Sequence, residues 1–196
     1  MLLFGYVRNK DIVLIGASTG GPNAIETVVT NLSRDLNVTV LVVQHMPSGF
    51  TKSFAERLDR KSQLVVVEAT DGMKIEKNTV YIAPGGSHME VTSNGAITLT
   101  NEPLLWGVRP AVDKLFKTAA AVYGSRIISV ILTGMGKDGA EGTAIVKEKN
   151  GVTIAQNKES SIIYGMPKVA YETGCVDYIL PLKDIASKIT SIVNGN

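Results

Sequence analysis

Residues 11–22 read DIVLIGASTGGP, an apolar run that leads directly into a glycine-rich turn. The run is rich in Ile and Val and nearly continuous, as expected of a strand covered on both faces of a parallel sheet. Residues 16–20 match the pattern Gly-x-Ser-x-Gly and place Ser18 at a strand-to-helix turn. A serine in this position can present its hydroxyl to a cleft, which makes Ser18 the candidate nucleophile. The alternative is a tight loop or an anion-binding nest.

The rest of the chain repeats this alternation of apolar runs and helix-length segments. Further predicted strands cover residues 38–43, 64–67, 127–132 and 152–155, and predicted helices cover residues 22–32, 50–58, 110–123, 140–149, 166–172 and 182–193. The pattern predicts an α/β fold with a doubly wound, mainly parallel sheet flanked by helices. Short segments around an Asn94-Gly95 turn signal predict an antiparallel hairpin appendage near residues 79–100.

Length and composition restrict the class of protein. At 196 residues we expect one domain over residues 11–194, preceded by a tail at residues 1–10. Twenty basic and 18 acidic residues, without a long run of either sign, argue against nucleic-acid binding. Cys175 is the only cysteine, which excludes an internal disulfide and a cysteine-based zinc site and fits a reducing compartment.

Targeting signals and membrane segments are not evident in the sequence. Residues 1–4 are apolar but lack the features of a secretory signal, and the apolar runs are far shorter than the roughly 20 residues that span a bilayer. We therefore expect a cytoplasmic protein without membrane insertion, and no cofactor or metal ion.

Three polar residues follow three predicted strands, and these define a candidate catalytic site. Ser18 follows the first strand, His45 ends the second, and Asp138 follows the strand at residues 127–132. Because the carboxyl ends of parallel strands meet at one sheet edge, these side chains should lie together. A serine needs a base to take its proton, and an imidazole needs an acceptor that fixes its tautomer. Ser18, His45 and Asp138 would fill these roles.

Other readings of the histidines and acids stay open. His45 could simply end a strand, and Asp138, with Glu141 three residues later, resembles the N-cap of its own helix. His88 is the competing base, although its hairpin-rich setting favours a structural or rim position. The competing acids are Asp71 in a turn, Asp113 early in a helix and Asp177 before a strand.

The order serine, histidine, aspartate differs from the serine, acid, histidine order of α/β-hydrolases. At this point the sequence resembles the chemotaxis protein-glutamate methylesterases, the CheB family. The matching segments are IGASTGGP (15–22), VQHMPSGFT (43–51), YIAPGG (81–86), RPAVD (109–113), ILTGMGKDG (131–139) and YGMP (164–167). They extend over nearly the whole chain.

The resemblance implies an activity and a partner. It implies hydrolysis of γ-glutamyl methyl esters on cytoplasmic helices of methyl-accepting chemotaxis receptors, with release of methanol, and deamidation of particular receptor glutamines. The triad of the family falls on Ser18, His45 and Asp138. Family members commonly carry an N-terminal receiver domain, for which too few residues precede the first strand, so we expect an isolated catalytic domain.

Four further residues are candidates for oxyanion or substrate binding. The amides of Thr19 and Met135 are candidate oxyanion donors, since one opens a helix and the other lies in a glycine-rich loop. Arg109 would steer an acidic receptor helix or remain a solvated charge, and Tyr164 would line the groove or merely pack.

Two other functions compete with an esterase. The first is a binding module that holds a nucleotide phosphate at the glycine-rich turn, although the turn lacks the Gly-x-Gly-x-x-Gly and P-loop patterns. The second is an inactive adaptor that docks on receptors.

Overall fold

The computed structural model describes residues 10–195, so nine of the ten residues of the predicted tail lie outside the described part of the chain. The strands are β1 (Ile12–Ala17), β2 (Thr39–Gln44), β3 (Val65–Glu68), β4 (Thr79–Ile82), β5 (His88–Val91), β6 (Ile97–Thr100), β7 (Ile127–Ile131), β8 (Val152–Gln156) and β9 (Tyr178–Leu180). The α-helices are α1 (Gly21–Val29), α2 (Thr51–Asp59), α3 (Val112–Tyr123), α4 (Ala140–Glu148), α5 (Met166–Glu172) and α6 (Leu182–Val193).

Seven strands form one sheet in the order β3-β4-β2-β1-β7-β8-β9, and every neighbouring pair is parallel. The predicted α/β class is thereby confirmed. The chain leaves β1 towards β2 on one side and later returns to β7 on the other, so β1 is the switch point of the sheet. In open parallel sheets the ligand crevice lies beyond the carboxyl end of such a strand.

Alternation along β1 feeds two separate hydrophobic cores, because successive side chains of a strand point to opposite faces. Val13 and Ile15 pack on the face covered by α1, α2 and α6. Ile12 and Leu14 pack on the face covered by α3, α4 and α5, where Phe116 is among the largest buried side chains. Burial on both faces explains why the strand sequences are continuously apolar rather than alternating.

The hairpin prediction needs one correction. Only β5 and β6 form the antiparallel pair, with His88 opposite Thr100 and Val91 opposite Ile97. The first segment of the predicted appendage is β4, which lies inside the main sheet and pairs in parallel with both β2 and β3. The hairpin itself packs against α3, where the Thr118 hydroxyl accepts a hydrogen bond from the Val91 amide at 3.1 Å.

Residues 10–195 contain no helix that combines the length and the apolar character needed to cross a bilayer.

The buried strands predict a sharp contrast in stability between two leucines. Leu14 in β1 is 0% exposed and Leu104 in a surface loop is 58% exposed. We expect Leu14→Ala to lower the free energy of unfolding by about 3 kcal/mol, because it leaves a cavity in the core. The matched change Leu104→Ala should cost less than about 0.5 kcal/mol. Urea denaturation measures both, and equal losses would contradict the proposed core.

Candidate active site

The three predicted triad residues lie around one cavity at the carboxyl edge of the sheet. The ladder continues one step past the strands, since the His45 amide donates to the Ala17 carbonyl at 3.0 Å and the Ser18 amide to the Thr133 carbonyl at 3.1 Å. Ser18, His45 and Asp138 thereby share a cavity of about 360 Å³. Its other lining residues are Thr19, Trp106, Val108, Met135, Gly136 and Lys137.

A direct hydrogen bond joins the imidazole to the carboxylate. His45 Nε2 lies 2.7 Å from Asp138 Oδ2, and the two side chains are 12% and 3% exposed. An ionised carboxylate only accepts hydrogen bonds, so Nε2 carries the proton and donates it to Asp138. Nδ1 is then the ring nitrogen left to accept a proton. The contact thus fixes both the tautomer and the orientation of the ring.

Asp138 is held by the start of α3 rather than by its own helix. Its Oδ2 accepts from the Val112 amide at 2.7 Å, and its Oδ1 accepts from the Asp113 amide at 2.9 Å. Hydrogen bonds from a helix N-terminus favour the ionised carboxylate. The alternative in which Asp138 is the N-cap of the following helix is wrong, because Gly139 occupies that position and α4 has no side-chain cap there.

Asp113 makes the reciprocal contact. Its Oδ1 accepts from the Gly139 and Gly142 amides at the start of α4, at 3.0 and 2.7 Å. Its Oδ2 accepts from the indole Nε1 of Trp106 at 2.8 Å. Burial nevertheless raises the pKa of Asp113 to about 6, and the charge of Asp138 contributes in the same direction. The two acids therefore exchange caps, and Asp113 is a structural neighbour of the site rather than the partner of the imidazole.

The peptide between Ser18 and Thr19 is fixed by its carbonyl. The Ser18 carbonyl accepts from the Gly21 amide at 2.8 Å and from the side-chain amide of Gln44 at 2.9 Å. Because a trans peptide directs its N–H opposite to its C=O, the Thr19 amide points away from these two donors. The Thr19 amide donates to no acceptor within residues 10–195.

Gln44 ties the serine turn to the histidine strand. The same Nε2 also donates to the His45 carbonyl at 2.9 Å, and the side chain is buried. The turn accommodates Gln44 only because residue 21 is glycine, since a Cβ there would lie 1.9 Å from Gln44 Oε1. Two elements of the site are therefore held by one buried amide.

The peptide between Gly134 and Met135 is fixed in a similar way. The Gly134 carbonyl accepts from the Gly165 and Met166 amides at 3.2 and 2.8 Å, so the Met135 amide points away from them. Like the Thr19 amide, it has no acceptor among the described residues. Buried Gln156 supports this loop by accepting from the Thr133 amide at 2.8 Å. Two orphan amides thus belong to residues that line the cavity with Ser18.

The competing base and the two remaining competing acids are engaged elsewhere. His88 is fully buried, and its ring accepts from the Ala111 amide at 3.2 Å and contacts the Pro103 carbonyl at 3.1 Å. Asp71 accepts from the Leu99 amide at 2.8 Å and thereby holds the hairpin. Asp177 pairs with Lys147. These residues hold structure together and do not line the cavity.

Arg109 and Tyr164 occupy positions that differ from their predicted substrate roles. Arg109 lines an adjoining groove that also contains His45, but its Nη1 donates to the Asn101 and Glu102 carbonyls at 2.9 Å each. Tyr164 forms a parallel bridge with Gly134 and does not line the cavity, and burial raises the pKa of its hydroxyl. Tyr164 therefore supports the loop that carries Met135.

Sequence reasoning missed four residues that shape the site. Trp106 and Lys137 line the cavity, with the Lys137 Nζ 3.6 Å from the centroid of the Trp106 ring. Gln44 and Gln156 are buried beneath it. Each glutamine directly ends an apolar strand, and that placement was a usable signal, whereas no local pattern links Trp106 to Lys137.

Comparison with known proteins identifies the family. The family model described as CheB methylesterase matches residues 13–189. The chain belongs to the CheB methylesterase family. A solved structure of the Thermotoga maritima CheB methylesterase catalytic domain is similar to it with a TM-score of 0.91 and 45% identity, covering 94% of this chain and 100% of that one. The family resemblance predicted from the motifs is confirmed.

Curated relatives carry the name protein-glutamate methylesterase/protein-glutamine glutaminase. The protein of that name from Clostridium acetobutylicum is 56% identical over 94% of this chain and 54% of its own length. That of Pyrococcus horikoshii is 49% identical over 92% of this chain and 50% of its own length. The chain therefore spans about half the length of these CheB-family relatives.

The raised pKa of Asp113 predicts a pH-dependent stability. The folded chain holds the Asp113 proton more tightly than the unfolded chain, so folding is opposed as the carboxyl ionises between about pH 4 and pH 6. Asp113→Asn cannot ionise. Its free energy of unfolding relative to the native protein should therefore rise from pH 4 to pH 7, by up to about 3 kcal/mol.

Urea denaturation of both proteins across this pH range measures the difference. The substitution also alters the hydrogen bond to Trp106, which adds a constant offset, so only the change with pH is diagnostic. A difference that does not vary with pH would contradict the assignment.

Proposed function

We propose that the chain is a serine hydrolase that removes methyl groups from glutamate γ-methyl esters on cytoplasmic helices of chemoreceptors, releasing methanol. The observation that carries the proposal is the His45–Asp138 contact of 2.7 Å in the cavity that also contains Ser18. Membership of the CheB methylesterase family and the names of the relatives support the same activity. We place the protein in the cytoplasm, with residues 11–194 as one catalytic domain.

The chemistry follows from the tautomer of His45. Ser18 Oγ attacks the ester carbonyl while Nδ1 of His45 takes its proton, and the tetrahedral intermediate collapses to a Ser18 acyl-enzyme. The imidazolium returns the proton to the departing methoxide, which leaves as methanol. Water, activated by the same nitrogen, then releases the glutamate carboxylate. Asp138 stabilises the positive charge of His45 during both proton transfers.

The Thr19 and Met135 amides are the proposed oxyanion donors. Each belongs to a peptide whose carbonyl accepts two hydrogen bonds, so neither amide needs to reorient when charge develops. Donors that are already aligned stabilise a tetrahedral oxyanion by roughly 3–4 kcal/mol each. The side chain of Met135 is 68% exposed, which suits contact with apolar substrate surface.

The same site would also deamidate glutamine. A glutamine side chain yields the same γ-glutamyl acyl-enzyme, with ammonia in place of methanol as the leaving group. The relatives are named for both activities. No additional residue is required, because His45 protonates either leaving group.

Removing the nucleophile separates an esterase from an inactive adaptor. Ser18→Ala should abolish methanol release from a methylated chemoreceptor while leaving the melting temperature within about 2 °C of the native value. The matched control Ser187→Ala, on the exposed face of α6, should retain activity. Receptor binding without methanol release by the native chain would support the adaptor, and full turnover by Ser18→Ala would move the nucleophile elsewhere.

Neutralising the acid tests the role of the tautomer. An asparagine at position 138 offers one acceptor oxygen to three donors, the His45 ring and the Val112 and Asp113 amides. Asp138→Asn should lower kcat by about 10³–10⁴-fold, as loss of the orienting acid does in serine hydrolases generally.

Steady-state methanol release is measured at a temperature where circular dichroism shows the variant folded. The exposed control Asp35→Asn should keep its kcat within twofold of the native protein. A kcat for Asp138→Asn within tenfold of the native value would remove Asp138 from the mechanism.

A further inference from the structure

A fixed ammonium group stands at the mouth of the catalytic cavity without a carboxylate partner. Lys137 Nζ lies over the Trp106 ring, 3.6 Å from its centroid, and both residues line the cavity with Ser18. No carboxylate among residues 10–195 forms an ion pair with this ammonium. Its place is set by the aromatic face, a contact in which the cation keeps its charge and most of its hydrogen-bond donors.

The aromatic face is itself anchored in the protein. The indole Nε1 of Trp106 donates to Asp113 Oδ2 at 2.8 Å, and Asp113 is buried at the start of α3. The other oxygen of Asp113 accepts from the Gly139 amide, two residues from Lys137. The ring and the loop that carries the ammonium are therefore held by one carboxylate. This arrangement limits the positions that a flexible lysine side chain would otherwise sample.

The surroundings of the cavity favour negative charge. The cavity and the adjoining groove share His45 and Val108, and together they are lined by two cationic side chains, Lys137 and Arg109. The acidic residue in the two linings is Asp138, whose carboxylate is already occupied by His45 and two backbone amides. A ligand with a carboxylate near its reacting group would meet unopposed positive charge.

We infer that Lys137, held over Trp106, is a specificity-determining residue that binds a substrate carboxylate next to the scissile ester. The inference rests on the proposed function, and it names the substrate preferred at that site: a γ-glutamyl methyl ester with an acidic residue nearby on the same surface. An exposed ion pair of this kind changes kcat/KM by about two- to fivefold. The effect weakens with salt, because the pair is open to solvent.

The experiment compares two substrates that differ only in neighbouring charge. Each is a chemoreceptor cytoplasmic fragment with one glutamate γ-methyl ester, flanked on the same helix face by Glu in one fragment and by Gln in the other. Methanol release gives kcat/KM for each at low ionic strength. The 196-residue chain should prefer the Glu-flanked fragment by about two- to fivefold, and the ratio should fall towards 1 in 0.5 M salt.

Variants assign the preference to one side chain. Lys137→Gln should bring the ratio of the two kcat/KM values to about 1, Lys137→Glu should invert it, and Lys137→Arg should preserve it. Trp106→Leu removes the aromatic face and should reduce the ratio, whereas Trp106→Phe should retain more of it. Lys149→Gln removes the same charge from the exposed far end of α4 and should keep the native ratio.

The outcomes distinguish the inference from the proposed function. Equal kcat/KM values on the two fragments in the native protein, with methanol released from both, would overturn the inference alone. A preference that persists in Lys137→Gln would also overturn it, since the lysine would then only cover the indole. No methanol from either fragment would overturn the proposed function and the inference with it.

Discussion

The buried carboxylate of Asp138 is the constraint on which the rest of the site depends. It accepts three hydrogen bonds, one from His45 and two from the first amides of α3, in a place that excludes water. A buried charge is tolerated only when it is paired and hydrogen-bonded, so these three donors are a condition of folding as well as of chemistry. The orientation of the imidazole is a by-product of satisfying that charge.

The exchange of caps between α3 and α4 extends this constraint to the surrounding elements. Asp138 precedes α4 but caps α3, while Asp113 belongs to α3 and receives the amides of α4. Each helix start is therefore satisfied by an acid from the other segment. The two helices and the loop between β7 and α4 cannot shift independently, because a movement of either would leave a buried carboxylate without donors.

Much of the fold and the meeting of the three loops could be predicted from sequence, because both depend on local patterns. Continuous apolar runs separated by helical segments indicate buried parallel strands, and parallel strands bring their carboxyl ends to one edge. That reasoning placed Ser18, His45 and Asp138 together. It failed for β4, because a short segment bounded by turn signals looks the same whether it joins a hairpin or a central sheet. Only the long-range pairing with β2 decides between them.

The remaining features depend on contacts between residues that are far apart in the chain. The spacing of Asp138 and Glu141 favours a local cap, and tertiary contacts with α3 override it. Lys137 and Trp106 are brought together by a loop whose position depends on Asp113, and no local pattern reports that approach.

The stacked ammonium has a consequence for substrates that carry several esters. Each hydrolysis converts a neutral ester into a carboxylate, so a polypeptide segment gains negative charge with every turnover. A positive group that favours such segments would make the first cleavage on a cluster the slowest and later ones progressively easier. Partly processed clusters would then be depleted in favour of untouched and fully processed ones, and graded input would give a sharper, more switch-like distribution of modification states.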